Sequence, residues 1–254
     1  MIDIKNNDDN INNDEYIKMF WVGLMDGDGS IQVNHWNKKS LQYRLVIKLS
    51  NIPLNYTMLT KIEKVIGGSV RVTGKGKEII WVVNNKKTIQ EIIKIFDLYP
   101  PLTSKKICQL KFLRICLQEN SVDFYLLNRN FKYKDQLNII NSNNFFDFEK
   151  NSLLLPTYFN SWLSGFIEAE GCFSIRKSNN HSFSIGQKDD LYLITAIKQF
   201  LCSNNTIRNT KRNFYSIEIY KKETLTKIIN HFNKYPLLGE KAASLNKFNQ
   251  KFKK

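Results

Sequence analysis

Phe20-Trp21-Val22-Gly23-Leu24-Met25-Asp26-Gly27-Asp28-Gly29 recurs later in the same chain as Trp162-Leu163-Ser164-Gly165-Phe166-Ile167-Glu168-Ala169-Glu170-Gly171. Both copies end on one pattern: Gly, two apolar residues, an acid, a small residue, an acid, Gly. Two further landmarks follow each copy in the same order. Leu59 to Gly68 resembles Ile194 to Ser203, and Tyr99-Pro100-Pro101-Leu102-Thr103-Ser104-Lys105 resembles Tyr235-Pro236-Leu237-Leu238-Gly239-Glu240-Lys241. Three landmarks in one order make the chain an internal repeat. The boundaries read as a leader over 1–13, a first repeat over 14–120, an Asn-rich linker over 121–156 and a second repeat over 157–254.

Periodicity assigns an α+β fold, αββαββα in each half. Asp14 can cap a helix through Tyr16 to Asp26. Ser30 to Trp36 and Leu41 to Ser50 alternate as strands, with Leu41, Tyr43, Leu45, Ile47 and Leu49 on one face. Pro53 breaks that pattern, and Tyr56 to Ile66 is helical. A second hairpin spans Ser69 to Thr73 and Glu78 to Asn84 around Gly74-Lys75-Gly76, and helices over Thr88 to Leu98 and Lys105 to Gln118 close the half.

The repeated acids stand at the end of an apolar helix, where carboxylates face the negative end of the macrodipole at a cost of about 0.3–1 kcal/mol each. Gly23 and Gly27 are spaced i, i+4, as are Gly165 and Ala169, so small residues on one helical face let two backbones approach. Packing the two helices side by side brings Asp28 and Glu170 together. Two carboxylates ~4 Å apart repel by about 4 kcal/mol at an effective dielectric of about 20. A divalent cation relieves both penalties, and oxygen ligands favour Mg²⁺, Mn²⁺ or Ca²⁺. A calcium loop of the EF-hand type is excluded, because Ile31 stands where Gly is required and Asn37 where Glu is required.

Composition narrows the partner. Lys and Arg number 38 against 23 Asp and Glu, a net charge of +15 over 254 residues, with 42% hydrophobic and 13% aromatic residues. A folded body this basic points to a polyanion, nucleic acid foremost. Cys108, Cys116, Cys172 and Cys202 form no Cys-x-x-Cys pair and histidines number 3, which argues against structural zinc and for reduced thiols. No apolar run suits a bilayer, so no membrane partner is expected. Met1 to Asn13 is Asn/Asp-rich and reads as a disordered leader, neither a signal nor a transit peptide. Abundant Asn, Lys and Ile, with A/T-rich codons, point to an A/T-rich genome such as a mitochondrion's or another organelle's.

The two motifs, Trp21 to Gly29 and Leu163 to Gly171, resemble the signature motifs of the LAGLIDADG homing endonucleases, and the resemblance covers nearly all of the chain outside leader and linker. It implies two pseudo-symmetric halves meeting at the motif helices, and two saddle-shaped antiparallel sheets astride DNA. The implied activity is metal-dependent hydrolysis of both strands of a long asymmetric duplex by an intron-encoded monomer, across the minor groove with 3′ overhangs. By the same resemblance Asp28 and Glu170 ligate Mg²⁺, helped by the carbonyls of Gly27 and Ala169, with Mn²⁺ able to substitute and Ca²⁺ supporting binding. Lys105 and Lys241 match the basic residue near each scissile phosphate. Gln187 matches the residue that positions water, and the shorter Asn51 stands at that place in the first half. The alternatives are an RNA-binding maturase acting on intron RNA and a cleavage-inactive DNA-binding protein. Alternation then names the face for base edges: Ser30, Gln32, Asn34, Gln42, Arg44, Lys48, Arg71 and Thr73 in the first half; Ser174, Arg176, Ser182, Ser184, Arg208, Thr210 and Glu218 in the second.

Overall fold

Helix α1 (Asn13–Gly27) opens with Asp14 and Glu15 in its first turn, where negative charge meets the positive end of the helix dipole. A computed structural model describes residues 13–143, 145–147, 152–175 and 180–252. After α1 come strands β1 (Gly29–Trp36) and β2 (Ser40–Ser50), helix α2 (Pro53–Ile66), strands β3 (Ser69–Thr73) and β4 (Glu78–Val83), and helices α3 (Lys86–Leu98) and α4 (Ser104–Glu119). Pro53 starts α2, where its missing N–H costs nothing, and the side chain of Asn85 caps α3 by accepting from Thr88 N.

The second half repeats this order. It has α7 (Phe159–Glu170), β7 (Cys172–Ile175), β8 (His181–Lys188), α8 (Leu191–Phe200), β9 (Arg208–Thr210), β10 (Phe214–Ile219), α9 (Lys222–Lys234) and α10 (Glu240–Phe252). Between the halves lie α5 (Val122–Asn128), α6 (Gln136–Ser142) and a two-residue pair of strands, β5 (Phe146–Asp147) and β6 (Ser152–Leu153). These short elements depart from the weakly periodic linker expected over 121–156. Ser121 caps α5 by accepting from Phe124 N at 3.2 Å, and Lys111 and Asp135 pair at 2.5 Å to tie the segment to α4. Of the predicted leader, Asn13 begins α1 and the rest lies outside the described residues.

Each half carries a four-stranded antiparallel sheet, ordered β1-β2-β4-β3 and β7-β8-β10-β9. Alternation puts Tyr43, Leu45, Ile47, Ile79, Trp81 and Val83 on the inner face of the first sheet, and Phe183, Ile185, Ile217 and Ile219 on that of the second. One apolar core joins both halves, with Trp21, Trp81, Trp162 and Phe166 fully buried near its centre. Trp162 stacks on Phe166 at 4.8 Å between ring centres, and Trp21 meets Trp81 edge-on at 5.7 Å. All four thiols are unpaired, as expected, and among the described residues no helix is long and apolar enough to cross a membrane.

Candidate active site at the paired helices

The site begins with two glycines. A Cβ on Gly23 would stand 1.9 Å from the carbonyl oxygen of Trp162, and one on Gly165 would stand 1.8 Å from that of Phe20. The α1 and α7 backbones therefore touch, each through the other's glycine. A turn further on, a Cβ at Gly27 would lie 2.3 Å from Cβ of Ala169 and 3.5 Å from Oε1 of Glu170. The small-residue faces read from the i, i+4 spacing are this contact, and the helix ends that carry Asp28 and Glu170 converge below it.

The first acid of each motif is spent on architecture. Asp26, 1% exposed, accepts from Leu102 N at 2.7 Å, Thr103 N at 3.1 Å, Thr103 Oγ1 at 2.6 Å and Trp162 Nε1 at 2.7 Å. Glu168 accepts from Leu238 N at 3.2 Å, Gly239 N at 3.0 Å and Lys241 N at 2.8 Å. Each carboxylate thus fixes the Tyr-Pro element and the start of the helix after it. Burial pushes both acids up from the usual carboxylate range, and these donated hydrogen bonds pull them back.

The second acids stand at the end of the helix pair, beside Lys106 and Lys241. Burial raises the Asp28 carboxyl, while the charges of Lys241 and Lys106 draw it down. Burial also raises Glu170, the charge of Asp28 adds to that, and the same two lysines oppose it. Asp28 is hemmed in at its carboxyl while keeping much of the residue's surface open to solvent, and Glu170 is half-buried. Among the described residues no three of His, Cys, Asp or Glu converge to hold a metal ion.

A second lysine, next to Lys105, also acts on the acids. Lys241 acts on both acids, and the α4 ammonium that does so is Lys106, 8% exposed. Its pKa is lowered by burial and held up by Asp26, Glu170 and Asp28. Lys105, the residue that aligns with Lys241, points into solvent. Successive helical residues turn by about 100°, so one of two adjacent lysines can face inward. The second half has Ala242 at the place of Lys106, so this lysine is not part of the repeat.

The two positions matched to water placement also differ. Gln187 lies half-buried on β8 opposite Tyr215. Asn51 gives its side-chain Nδ2 to the carbonyl of Gly76 at 2.8 Å, bracing the turn between β3 and β4.

On the outer sheet faces, Gln42, Arg44 and Arg71 line a cavity of about 600 Å³ with Lys39, Lys86, Asn84 and Asn120. Lys48 pairs with Glu78 at 2.8 Å, Arg208 with Glu218 at 3.4 Å, and Gln32 donates to Ser30 at 2.9 Å. Asn34 and Thr210 are exposed, while Thr73, Ser174 and Ser184 are partly buried. Ser182 departs from its expectation: it is 1% exposed, so its hydroxyl is not offered to an open face. Arg176 lies outside the described residues. Two apolar features on these faces were not read from the sequence. Val46, Ile80 and Val82 form a small cluster of their own, and the Phe214 ring covers Gly186, where a Cβ would come within 2.6 Å of it.

A family model described as LAGLIDADG endonuclease matches residues 21–116 and 163–252. A "Probable intron-encoded endonuclease aI3" of Dictyostelium citrinum is 49% identical over 94% of this chain and 96% of its own length. A protein of the same description from Debaryomyces hansenii is 51% identical over 97% of this chain, which spans 39% of that relative's length. Among solved structures, the LAGLIDADG homing endonuclease I-GzeII in complex with its DNA target superposes with a TM-score of 0.71 at 21% identity, covering 93% of this chain and 89% of the other. I-LtrWI bound to target DNA gives 0.69 at 22% identity, over 95% and 91%. At that identity the structures establish the likeness of fold.

Proposed function

The chain belongs to the LAGLIDADG endonuclease family, and from that premise we propose that it is a site-specific endonuclease acting on both strands of a long, asymmetric DNA duplex. The observation that carries the reading is the meeting of Asp28 and Glu170 at the foot of the glycine-packed helices, both under the charges of Lys106 and Lys241. The descriptions of the reported relatives, endonuclease in each case, favour cutting over the intron-RNA alternative. An intron-encoded origin accords with those descriptions, and an organellar one with the composition.

Asp28 and Glu170, with the carbonyls of Gly27 and Ala169, form an all-oxygen set that suits Mg²⁺ or Mn²⁺. A cation held there would supply an acidified water and positive charge for the phosphoryl oxygens. The chain's own residues do the rest. Lys106 and Lys241 place fixed positive charge where negative charge grows on the scissile phosphates. Gln187 offers an amide to orient the attacking water in one half. Asp26 and Glu168 hold the lysine-bearing helices to the motif. The sheet faces enter major grooves on either side, with Arg44 and Arg71 suited to guanine and Glu218 to cytosine N4. Helix ends that meet over a minor groove reach phosphates staggered across it, and cutting there leaves 3′ overhangs.

The test is cleavage of targets selected from a random duplex library in Mg²⁺. Asp28→Asn and Glu170→Gln each abolish cutting of both strands while binding in Ca²⁺ persists. Cutting at the normal rate by Glu170→Gln overturns the assignment of the acids.

A further inference from the structure

The helices that carry the lysines both begin on a contact from the opposite half. In α4, which bears Lys105 and Lys106, Ser104 N donates to Oδ2 of Asp190 at 3.1 Å. Asp190 belongs to the second half, just ahead of α8, and is 1% exposed. In α10, which bears Lys241, Glu240 N donates to Oδ1 of Asn55 at 3.0 Å. Asn55 belongs to the first half, in the first turn of α2, and is 4% exposed. The neighbouring amides go to the home half's own acid: Leu102 and Thr103 to Asp26, and Leu238, Gly239 and Lys241 to Glu168.

Ser104 and Glu240 occupy matching places in the repeat, and so do Asn55 and Asp190, which stand four residues before the matched Leu59 and Ile194. Asn55 is the third residue of its helix and Asp190 precedes the first of its own. One task is therefore met from equivalent positions in the two copies, by an amide oxygen in the first half and a carboxylate oxygen in the second. The first amides of a helix have no partner within it, so an outside acceptor fixes where the helix begins and how it is rotated. Lys106 lies two residues beyond Ser104, and Lys241 one beyond Glu240. A displacement of about 1 Å in a reacting group costs roughly a hundredfold in rate.

We propose that Asp190 and Asn55 are cross-half positioning residues, each setting the start of the helix whose lysine serves the other half's strand, so that each half controls the cut its partner makes. The inference rests on the endonuclease reading for its consequence, though not for its geometry. Oδ2 of Asp190 takes the Ser104 amide, and Oδ1 finds no hydrogen-bond partner among the described residues. An acceptor is what the place uses, and an amide supplies one. Gln136 Nε2 steadies the same residue by donating to Ser104 Oγ at 3.0 Å.

The test uses the full chain and a cleavable duplex labelled separately on each strand, under single-turnover conditions. Asp190→Ala is expected to slow the strand that Lys106→Met slows, by roughly tenfold or more, and to leave the other within about twofold at unchanged DNA affinity. Asn55→Ala is expected to slow the strand that Lys241→Met slows. Asp190→Asn keeps both rates. Hydrogen exchange reads the positioning without any cutting: Asp190→Ala speeds exchange at the start of α4 alone, and Asn55→Ala at the start of α10 alone. Equal slowing of both strands, slowing of the wrong strand, or loss of rate in Asp190→Asn as deep as in Asp190→Ala overturns the proposal. If Asp190→Ala does not fold, Asn55→Ala and Asp190→Asn decide it alone. A chain that cuts no duplex, yet shows the helix-specific exchange, refutes the nuclease reading and leaves the positioning intact.

Discussion

At the residue scale, the distinction that matters is between two adjacent lysines. Lys106 is buried against the acids and Lys105 is exposed, so their replacements are expected to diverge. On the proposed mechanism each lysine serves mainly one phosphate, so Lys106→Met and Lys241→Met should each slow one strand far more than the other. A charge-assisted contact to a developing phosphorane is worth about 2–4 kcal/mol, or roughly 30- to 1,000-fold in rate. Lys105→Met should weaken binding slightly and leave the strand ratio alone. Strand-specific end labelling on a supercoiled target reads all three variants, and equal slowing of both strands would mean the two centres act as one unit. A second residue-scale expectation concerns Asp190. Burial raises its carboxyl to about 7, with Asp26 and Asp189 adding to the rise and Ser104 opposing it. A carboxyl raised in the fold contributes stability that is complete below the unfolded value of about 3.9 and is lost as pH climbs through 7. The stability of Asp190→Asn relative to the parent should therefore grow between pH 4 and pH 7 and level off above that. Urea titrations across this range measure it, and a flat difference would contradict the assigned burial.

At the element scale, the α1–α7 contact leaves no room for a side chain at its crossing. The atoms met by a Cβ at Gly23 or Gly165 are backbone, which cannot rotate aside. Overpacking in a core usually costs about 1–3 kcal/mol, and a backbone collision belongs at or above the top of that range. Gly23→Ala and Gly165→Ala are each expected to lower the urea midpoint strongly and to part Asp28 from Glu170, so that cutting falls along with stability. Gly76→Ala is the informative control. It has open space around its Cβ, and its strain arises from a φ of 86° alone. The sheets follow simpler rules, since alternation put Leu45, Ile47 and Trp81 inside and Arg44 and Lys48 outside. The linker does not, because its helices α5 and α6 have one or two turns each and fall below the length at which periodicity is readable.

At the scale of the whole molecule, a charge of +15 rests on a body whose halves share one core. Duplex binding should be strongly salt-dependent, with log K falling at a slope of about −0.9 for each phosphate contacted, and contacts numbering roughly five or more. Fluorescence anisotropy from low to physiological salt gives the slope, and a flat titration would remove the saddle-on-DNA arrangement. Part of the basic surface is already neutralised internally, through Lys48 with Glu78 and Arg208 with Glu218. The slope should accordingly fall well short of one contact per net charge.

The repeat, the order of elements and the pairing of Asp28 with Glu170 were legible in the sequence, because each depends on local spacing. A period of two assigns a strand face, small residues at i, i+4 permit close helix contact, and a motif present twice brings its ends together when its helices pair. Tertiary structure alone decided which lysine meets the acids, that Asn51 gives its amide to Gly76, and that Asp190 and Asn55 reach across to Ser104 and Glu240. The physical reason is that these choices follow from how one rigid half is placed against the other. A translation or rotation of a few ångströms would reassign every such partner without altering a single local period, so no spacing along the chain could record it.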